Sequence, residues 1–376
     1  MNKISEVGRR VTRRAPAASS TLQPAKTTQV GMAKNPAELD ETLKTHREEA
    51  LKRGRRHKRQ LKKARFHVMV GSLGFIFLVA ALFFGYSFYL LQSKQSYSNL
   101  AYSASRIAPY NVSSVDGEKV SYEEYLFILK QNVHYLVEFN GVGAEKIDVH
   151  TEDGNKIIEQ KKREALSQAE AYAFIRKKAR ELDIKVDKSE LDASIDELLA
   201  LRGNSSREEL ATTLRAHYGW DVSDYERFYG QVLLKKKVLS SIDEVAKAQL
   251  QKAKDQLAGG VVFEEVAKLY SDDEVSKATG GRIGKVNFKL NNANLSYTIL
   301  EALKVLQEGA VSEPVITNDA FYIFKNIKTY SEDEKEIEMI RVQFKSVDSY
   351  MAELEAAGKI KRNIKLKESE IGKVEQ

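Results

Sequence analysis

The side chains that could carry chemistry are few in this chain of 376 residues, and their spacing excludes several classes of reaction. The sequence has no cysteine, which excludes disulfides, thiolate nucleophiles, iron–sulfur clusters and cysteine zinc sites. The histidines are isolated and lack the H-E-x-x-H spacing typical of zinc enzymes. There are six of them: His46, His57, His67, His134, His150 and His217. We therefore expect neither a metal site nor a cofactor.

Two short patterns resemble reactive sites but have simpler interpretations. Adjacent carboxylates at Asp272-Asp273 and Glu264-Glu265 lie in charged sequence, which favours a solvated face. The run from Gly280 to Gly284, GGRIG, could suggest a phosphate cradle. It has neither the G-x-G-x-x-G spacing nor the Lys-Ser/Thr end of a P-loop. These glycines instead predict a tight turn with positive φ.

The elements that could position a site begin with residues 66–93, which contain no Asp, Glu, Lys or Arg. From Val68 to Leu91 the stretch would make a helix of roughly 36 Å, against a hydrocarbon core of about 30 Å. Tyr86 and Tyr89 fall near its distal end, where aromatic rings favour the membrane interface. A buried core helix is the alternative, but this stretch has no amphipathic face. We expect a transmembrane helix.

Charge is distributed unequally around this stretch. Residues 1–65 carry 18 Lys/Arg and 6 Asp/Glu, a net charge of +12, and the remainder of the chain carries −5. Because cytoplasmic flanks hold the Lys/Arg excess, the N-terminus is expected in the cytoplasm and the C-terminal domains outside it. A cleaved signal peptide is the alternative, but its apolar core is typically about 7–15 residues. The pattern predicts a single-pass signal-anchor in the cell membrane.

The basic segment, residues 1–65, is predicted to be a disordered cytoplasmic tail. Its first part is rich in Ala, Thr, Ser and Pro and poor in large apolar residues. Next to a membrane, its Lys/Arg cluster is expected to contact lipid headgroups. Nucleic-acid binding is the alternative for a basic block, but no aromatic residue precedes Phe66 to stack on bases. We expect no nucleic-acid partner.

Beyond the apolar stretch the sequence predicts a short stalk and then a mainly helical domain. Residues 94–107 are small and polar, as in a stalk. Residues 108–240 begin with a turn at Asp116-Gly117 and a helix capped by Ser121, and Ser205 with Glu208 could cap a later helix. Four aromatic side chains near the last helix are expected to fill a core rather than a ligand site: Trp220, Tyr225, Phe228 and Tyr229.

Two segments resemble known families. Residues 108–240, through VDGEKVSYEEY and GWDVSDYERFYGQVLLKKKVL, resemble the N-terminal chaperone region of SurA-like and PrsA-like exported folding factors. Residues 241–330 resemble the parvulin (PpiC, rotamase) family. The matching positions are Gly259, Phe263, Ala267, Ser271, Asp272, Gly280, Gly281, Gly284, Leu306, Gly309, Ser312, Pro314 and Val315. The resemblance implies an α+β chain with a helical chaperone domain followed by a small parvulin-like α/β domain.

Parvulins are peptidyl-prolyl cis–trans isomerases that place two facing histidines beneath an apolar proline pocket. No histidine follows His217 in this sequence, and Tyr322 stands where the family's last strand has one. The family's first strand, which bears the other histidine, is missing from its usual place. The resemblance therefore implies an isomerase fold with a degenerate site and no confident catalytic residue. It implies five candidate substrate-binding residues, of which Ile299 and Phe324 could equally be core: Phe288, Leu295, Ile299, Tyr322 and Phe324.

A missing central strand would leave the sheet incomplete, and residues 331–376 offer a replacement. Glu336–Phe344 alternates, with Ile340, Val342 and Phe344 on one face. A helix over Val347–Ala357, ended by Gly358, is predicted to follow. We expect this extension to complete a permuted or rebuilt parvulin-like domain.

Three functions are compatible with these patterns. The favoured one is a membrane-anchored extracytoplasmic chaperone or foldase that binds unfolded exported polypeptides and has a degenerate isomerase site. An active peptidyl-prolyl isomerase would need catalysis without the histidine pair. An envelope scaffold with one specific partner would equally present exposed apolar grooves.

Overall fold

The computed structural model describes residues 36–139, 147–201 and 206–367. The chain forms two compact units, Met1–Val79 and Ala80–Gln376, and each is described by itself. The described part of the first unit is a single helix, the portion of α1 (Pro36–Phe88) that precedes Ala80.

The prediction of disorder over residues 1–65 is wrong for residues 36–65, which are helical, whereas residues 1–35 lie outside the described residues. Proline is favoured at a first helical position, which Pro36 occupies. Acidic and basic side chains one turn apart then pair along the helix, as in Asp40–Lys44 at 2.7 Å. The scarcity of large apolar residues predicts disorder, but local ion pairs of this kind stabilise a helix that has no apolar core.

One helix among the described residues, Arg65–Ser93, is long and apolar enough to cross a membrane, with a mean hydropathy of 2.4. Its last five residues, Tyr89–Ser93, form a π-helical turn. The distal end belongs to the second unit and packs into it, since Ser87, Leu90 and Leu91 are buried. The hydroxyl of Tyr122 donates to the carbonyl of Leu91.

The expected stalk at residues 94–107 is instead mostly a packed helix, α2 (Asn99–Ile107). Ala101 and Ala104 are buried on its inner face, against α3 (Tyr122–His134). A composition of small side chains indicates a linker, but small side chains also allow two helices to approach closely. This contact corrects the stalk prediction.

The predicted turn at Asp116-Gly117 joins an antiparallel hairpin, β1 (Asn111–Val115) and β2 (Glu118–Ser121). Both turn residues have positive φ, 48° and 88°. A long helix, α4 (Glu152–Glu181), packs against the hairpin and α3. The remaining helices of this part are α5 (Lys188–Leu201), α6 (Arg207–Tyr218) and α7 (Val222–Ile242).

Helix caps in this part differ in detail from the sequence prediction. Ser121 accepts a hydrogen bond from the Glu124 amide (3.1 Å), but the Glu124 carboxylate turns away to Arg176 on α4 (3.0 Å). The later cap lies one residue beyond the predicted one. Ser206 and Glu209 form a reciprocal capping box, and Ser205 lies outside the described residues.

A second, four-stranded antiparallel sheet has the order β3-β6-β5-β4. We call residues 243–344 the sheet domain, and residues 80–242 with 346–367 the helical region. The elements of the sheet domain are α8 (Glu244–Ala258), α9 (Phe263–Tyr270), α10 (Glu274–Ala278), β3 (Arg282–Asn287), α11 (Tyr297–Val305), β4 (Val315–Ile316), β5 (Ala320–Ser331) and β6 (Glu334–Gln343).

Strand β6, which contains most of the predicted strand Glu336–Phe344, lies in the interior of this sheet. It pairs with β3 on one side and with β5 on the other, and no direct pairing joins β3 to β5 in the described sheet. Ile340 and Val342 face α8 and α9, whereas Ile337 and Met339 face α11 on the opposite side. Without β6 the two halves of this sheet would separate.

After β6 the chain returns to the helical region. Tyr350 on α12 (Val347–Ala356) stacks on Phe174 of α4, with ring centroids 5.3 Å apart. Strand β7 (Ile360–Arg362) then adds to the hairpin, giving a sheet with the order β2-β1-β7. Of the predicted extension, only β6 belongs to the four-stranded sheet. The helix α12 and strand β7 pack in the helical region instead.

Asp243 ties together the two chain crossings between the helical region and the sheet domain. It caps α8, accepting from the Ala246 amide at 3.0 Å, and it accepts from the Lys345 amide just after β6 at 2.6 Å. The carboxylate is buried, so both bonds are shielded from water. The sheet domain is thus inserted into the helical region through one fastened junction.

Candidate parvulin-like site

The Ser271-Asp272 motif holds β6 through its backbone. Ser271 Oγ accepts from the Arg341 amide (3.1 Å), and the Asp272 amide donates to the Arg341 carbonyl (2.7 Å). Asp272 Oδ2 also accepts from the Gln343 amide at 2.8 Å. The residues that carry the family resemblance therefore contact the strand that arrives from the far end of the sequence.

The glycine motif serves the same strand. Gly281, with φ +95°, accepts from the Met339 amide through its carbonyl at 2.7 Å. A Cβ at Gly281 would lie 2.9 Å from the Met339 carbonyl oxygen, and one at Gly280 would overlap the Glu264 side chain. The run GGRIG is therefore a close-packed turn, and its glycines are required by the approach of β6 and α9.

Tyr322 on β5 lies directly across the sheet from Arg341 on β6. The Arg341 guanidinium donates to Asp319 Oδ2 at 2.7 Å, and Thr317 Oγ1 donates to Asp319 Oδ1, also at 2.7 Å. The Tyr322 ring stacks parallel to Phe324, with centroids 5.7 Å apart. At the position given to one family histidine there is a phenol, and facing it a guanidinium already paired with a carboxylate.

The charge states of these three groups follow from burial and from their partners. Burial, followed by the nearby Asp319 carboxylate, raises the pKa of Tyr322. Burial disfavours the charge on Arg341, yet the bond to Asp319 outweighs it and raises the Arg341 pKa. Burial likewise opposes ionisation of Asp319, but the bonds from Thr317 and Arg341 lower its pKa. At neutral pH, Tyr322 is therefore a neutral phenol beside the Arg341–Asp319 ion pair.

A cavity of about 230 Å³ opens beside Tyr322 and is shared with the helical region. Leu295, Ile299 and Tyr322 line it from the sheet domain. Its opposite wall is one face of α7: Tyr229, Val232, Leu233 and Lys236. These three predicted substrate-binding residues therefore line one cavity together, opposite a helix that lies outside the sheet domain.

The five predicted substrate-binding residues divide into two layers. Leu295, Ile299 and Tyr322 reach the cavity. Phe288 and Phe324 lie in the core beneath it, 7% and 0% exposed, with Leu303 and Ile337. These two phenylalanines can shape the cavity only by supporting its floor.

A larger cavity of about 520 Å³ adjoins the first, because Val232 and Asn318 line both. Its walls come from α4, α7 and the start of α12. The apolar side chains among its lining are Ala171, Tyr172, Ile175, Phe228, Val232 and Val347. We call the two cavities together the α7 cleft.

Sequence reasoning missed Arg341, Asp319 and the α7 wall. The alternation of Glu336–Phe344 puts Arg341 on the face opposite Ile340 and Val342, and fixing the register of that strand against Tyr322 would identify it. Asp319 follows from Arg341, since a half-buried guanidinium requires an acceptor. The α7 wall carries no local signal, because only the insertion of the sheet domain brings it there. No group of three or more metal-ligating side chains occurs within residues 36–139, 147–201 and 206–367.

Comparisons with known proteins agree with this geometry. Residues 232–328 match the family described as Rotamase: PPIC-type PPIASE domain, a match that begins inside α7 and ends inside β5, before β6. Foldase protein PrsA of Clostridium kluyveri (strain ATCC 8527) is 24% identical over 281 residues, which cover 64% of this chain and 81% of the relative. Foldase protein PrsA of Clostridium botulinum (strain 657 / Type Ba4) is 24% identical over 302 residues, covering 68% and 88%. Residues 232–328 are a PPIC-type parvulin domain, within a chain that is homologous to PrsA foldases over about two thirds of its length.

Proposed function

We propose that this parvulin-type foldase is anchored in the cell membrane by residues 66–93, binds unfolded exported polypeptides outside the cytoplasm, and does so with a degenerate isomerase site. The observation that carries the proposal is that Tyr322, which lines the α7 cleft, pairs across the sheet with Arg341. Neither side chain can replace an imidazole.

Prolyl isomerisation requires a twisted amide, and the resonance that resists twisting sets a barrier of about 18–20 kcal/mol. Tyr322 stays protonated at neutral pH, so it can donate one hydrogen bond. Arg341 donates to Asp319 at 2.7 Å, and its buried Nε has no hydrogen-bond partner among the described residues. Tyr322 and Arg341 can donate hydrogen bonds that orient a bound peptide, but without a facing pair of imidazoles they give little preference for the twisted amide over the planar one.

Client binding is supported by the composition of the cleft. Its walls combine apolar and aromatic side chains from two parts of the chain with a few polar ones such as Asn318 and Lys236. An extended segment with alternate apolar residues would bury them here and leave its backbone near the polar groups. The relatives are named foldases, which agrees with a client of this kind.

Membrane anchoring is supported by the apolar helix Arg65–Ser93, which is exposed over its most apolar 18 residues, and by the basic segment that precedes it. The Lys/Arg excess on that side favours a cytoplasmic N-terminus. Because the chain has no cysteine, single introduced cysteines can test this without background. In intact cells a membrane-impermeant maleimide is expected to label Val275→Cys and not Lys58→Cys; the reverse pattern would overturn the orientation.

The foldase proposal is tested with the full chain in lipid nanodiscs, because Leu91 is fully buried and removing the helix would remove a core side chain. Aggregation of a denatured client protein is measured beside isomerisation of a short X-Pro peptide. We expect suppression of aggregation that Leu295→Asp weakens, with Leu290→Asp as the control; Leu290 is 78% exposed and does not line the cleft. Isomerisation abolished by Tyr322→Phe would establish an active isomerase instead. No effect in either assay would favour a scaffold.

A further inference from the structure

We propose that the corner between α2 and β1, residues 107–110, rests in the lipid headgroup layer of the membrane that holds the chain. This proposal rests on the anchor proposed above, and its test separates the two. The surface is defined by Ile107, Pro109 and Tyr110, together with the exposed face of α2.

The length of the apolar helix fixes where the lipid must end. The charged flank stops at Arg65, and a hydrocarbon core of about 30 Å requires about 20 helical residues. Counted from Phe66, that length ends at Gly85. The residues beside Phe84 and Phe88 are therefore at the outer edge of the hydrocarbon, and Tyr86 and Tyr89 mark the interface.

The folded body reaches down to that level. The Tyr110 hydroxyl donates to the Phe84 carbonyl at 2.9 Å, and the Tyr110 ring meets Phe88 edge-on with centroids 5.9 Å apart. Leu91, about two helical turns beyond Phe84, is already fully buried in the core. The body therefore overlaps the last turns of the apolar helix, and no free linker separates the two.

The side chains next to this contact suit a lipid surface. Ile107 and Leu100 lie seven residues apart along one edge of α2 and are 67% and 58% exposed, whereas Ala101, Ala104 and Ser105 bury the adjoining face. Arg106 is exposed beside Ile107, where a guanidinium can meet lipid phosphate. Isolated exposed apolar residues elsewhere, such as Val275, have no such contact with the apolar helix.

The experiment uses the full, naturally cysteine-free chain in liposomes, with one environment-sensitive fluorophore per variant. The labelled variants are Ile107→Cys, Leu73→Cys within the apolar helix, and Val275→Cys as an exposed apolar control. The quenchers are lipids that carry a nitroxide near the headgroup, for positions 107 and 275, and lipids that carry it within the acyl chain, for position 73. We expect a large loss of emission at position 107, together with a blue shift, and no loss at position 275.

The outcomes separate the two proposals. Quenching at position 73 but not at 107 would overturn the headgroup contact and leave the anchor intact. Absence of quenching at both positions would overturn the anchor and this proposal with it. Equal quenching at 107 and 275 would show general adsorption and also contradict the proposed surface. Unchanged emission of Trp220, the single tryptophan, verifies that each variant is folded.

Discussion

Tyr322 and Arg341 face each other across β5 and β6, although they come from opposite sides of a tight hairpin and only one of them lies within the family match. Arg341 belongs to the strand that completes the sheet. The Ser271-Asp272 and Gly280-Gly281 motifs hold that strand through its backbone, at Arg341, Gln343 and Met339. A strand from beyond the family match thus lies in the interior of the sheet, and a residue other than histidine faces Tyr322.

If the domain fails to catalyse isomerisation only because it lacks two facing histidines, introducing histidines at these positions should restore catalysis. We expect the double variant Tyr322→His with Arg341→His to accelerate isomerisation of an X-Pro peptide above each single variant. Asp319 would remain close enough to orient one imidazole, as a carboxylate does in other acid–base pairs. The control is Tyr322→Phe with Arg341→Lys, which keeps the bulk and gives no imidazole. Equal rates for the two double variants would contradict the assignment of these positions.

Gly281 should be intolerant of a side chain in a way that Gly284 is not. Both have positive φ, +95° and +83°, so Gly→Ala strains the backbone at each by roughly 1–2 kcal/mol. Only Gly281 would also press on the Met339 carbonyl, which adds about 1–3 kcal/mol. Hydrogen exchange of residues 334–343 in the two variants measures the difference. Equal loss of protection would mean that close packing on β6 is not what Gly281 provides.

The return of β7 to the helical region depends on a buried ion pair. Arg362 makes two hydrogen bonds to Glu170, both at 2.9 Å, and Glu170 is 1% exposed. Removing the guanidinium by Arg362→Leu leaves that buried carboxylate without its counter-ion and with the Ser113 hydroxyl as its remaining donor, at 2.6 Å, so we expect a loss of up to about 3 kcal/mol in the free energy of unfolding.

The matched control is Glu355→Ala, which removes the other partner of Arg362, at 2.7 Å. Glu355 is half exposed, so its loss should cost no more than about 1 kcal/mol. Urea unfolding in detergent, followed by Trp220 fluorescence, compares the two. A cost for Glu355→Ala as large as that for Arg362→Leu would contradict the role given to Glu170.

The Asp319–Arg341 pair predicts a stability that is lost in acid. The pKa of Asp319 is lowered in the folded protein, because the bonds from Thr317 and Arg341 outweigh its burial. Its contribution is therefore present above the ordinary aspartate pKa of about 3.9 and is lost as the pH falls through the lowered value.

Because the Asp319 side chain is 53% exposed, the effect should stay within about 1 kcal/mol. Wild type is expected to be more stable than Asp319→Asn at pH 7, with the difference shrinking below about pH 4. Thermal unfolding at several pH values measures it. A difference independent of pH would exclude a charge effect at this position.

The sequence could predict the elements whose signals are local. The turn at Asp116-Gly117, the Ser121 cap and the alternation of Glu336–Phe344 each depend on a few adjacent residues, and the structure contains the corresponding elements. The α+β class and the parvulin resemblance also followed from such motifs. The candidate residues that reach the cavity, including Leu295 and Tyr322, are predicted by the resemblance of the domain's last segment to the parvulin family.

The rest depends on contacts between distant segments. Strand β7 has only three residues, and its pairing with β1 decides that it is a strand at all. Ala101 and Ala104 gave the composition of a linker, yet they pack against α3. Lys236 and Tyr229 reach the cavity because the sheet domain is inserted after α7, which no spacing in the sequence encodes.

With Tyr322 opposite Arg341, we expect a domain that binds clients without isomerising them. The most direct test is the isomerisation rate of an X-Pro peptide as the wild-type, full-length protein in nanodiscs is titrated into the assay. The rate is expected to stay at the uncatalysed value over the whole titration. A rate that rises in proportion to protein concentration and returns to background in Tyr322→Phe would contradict the account.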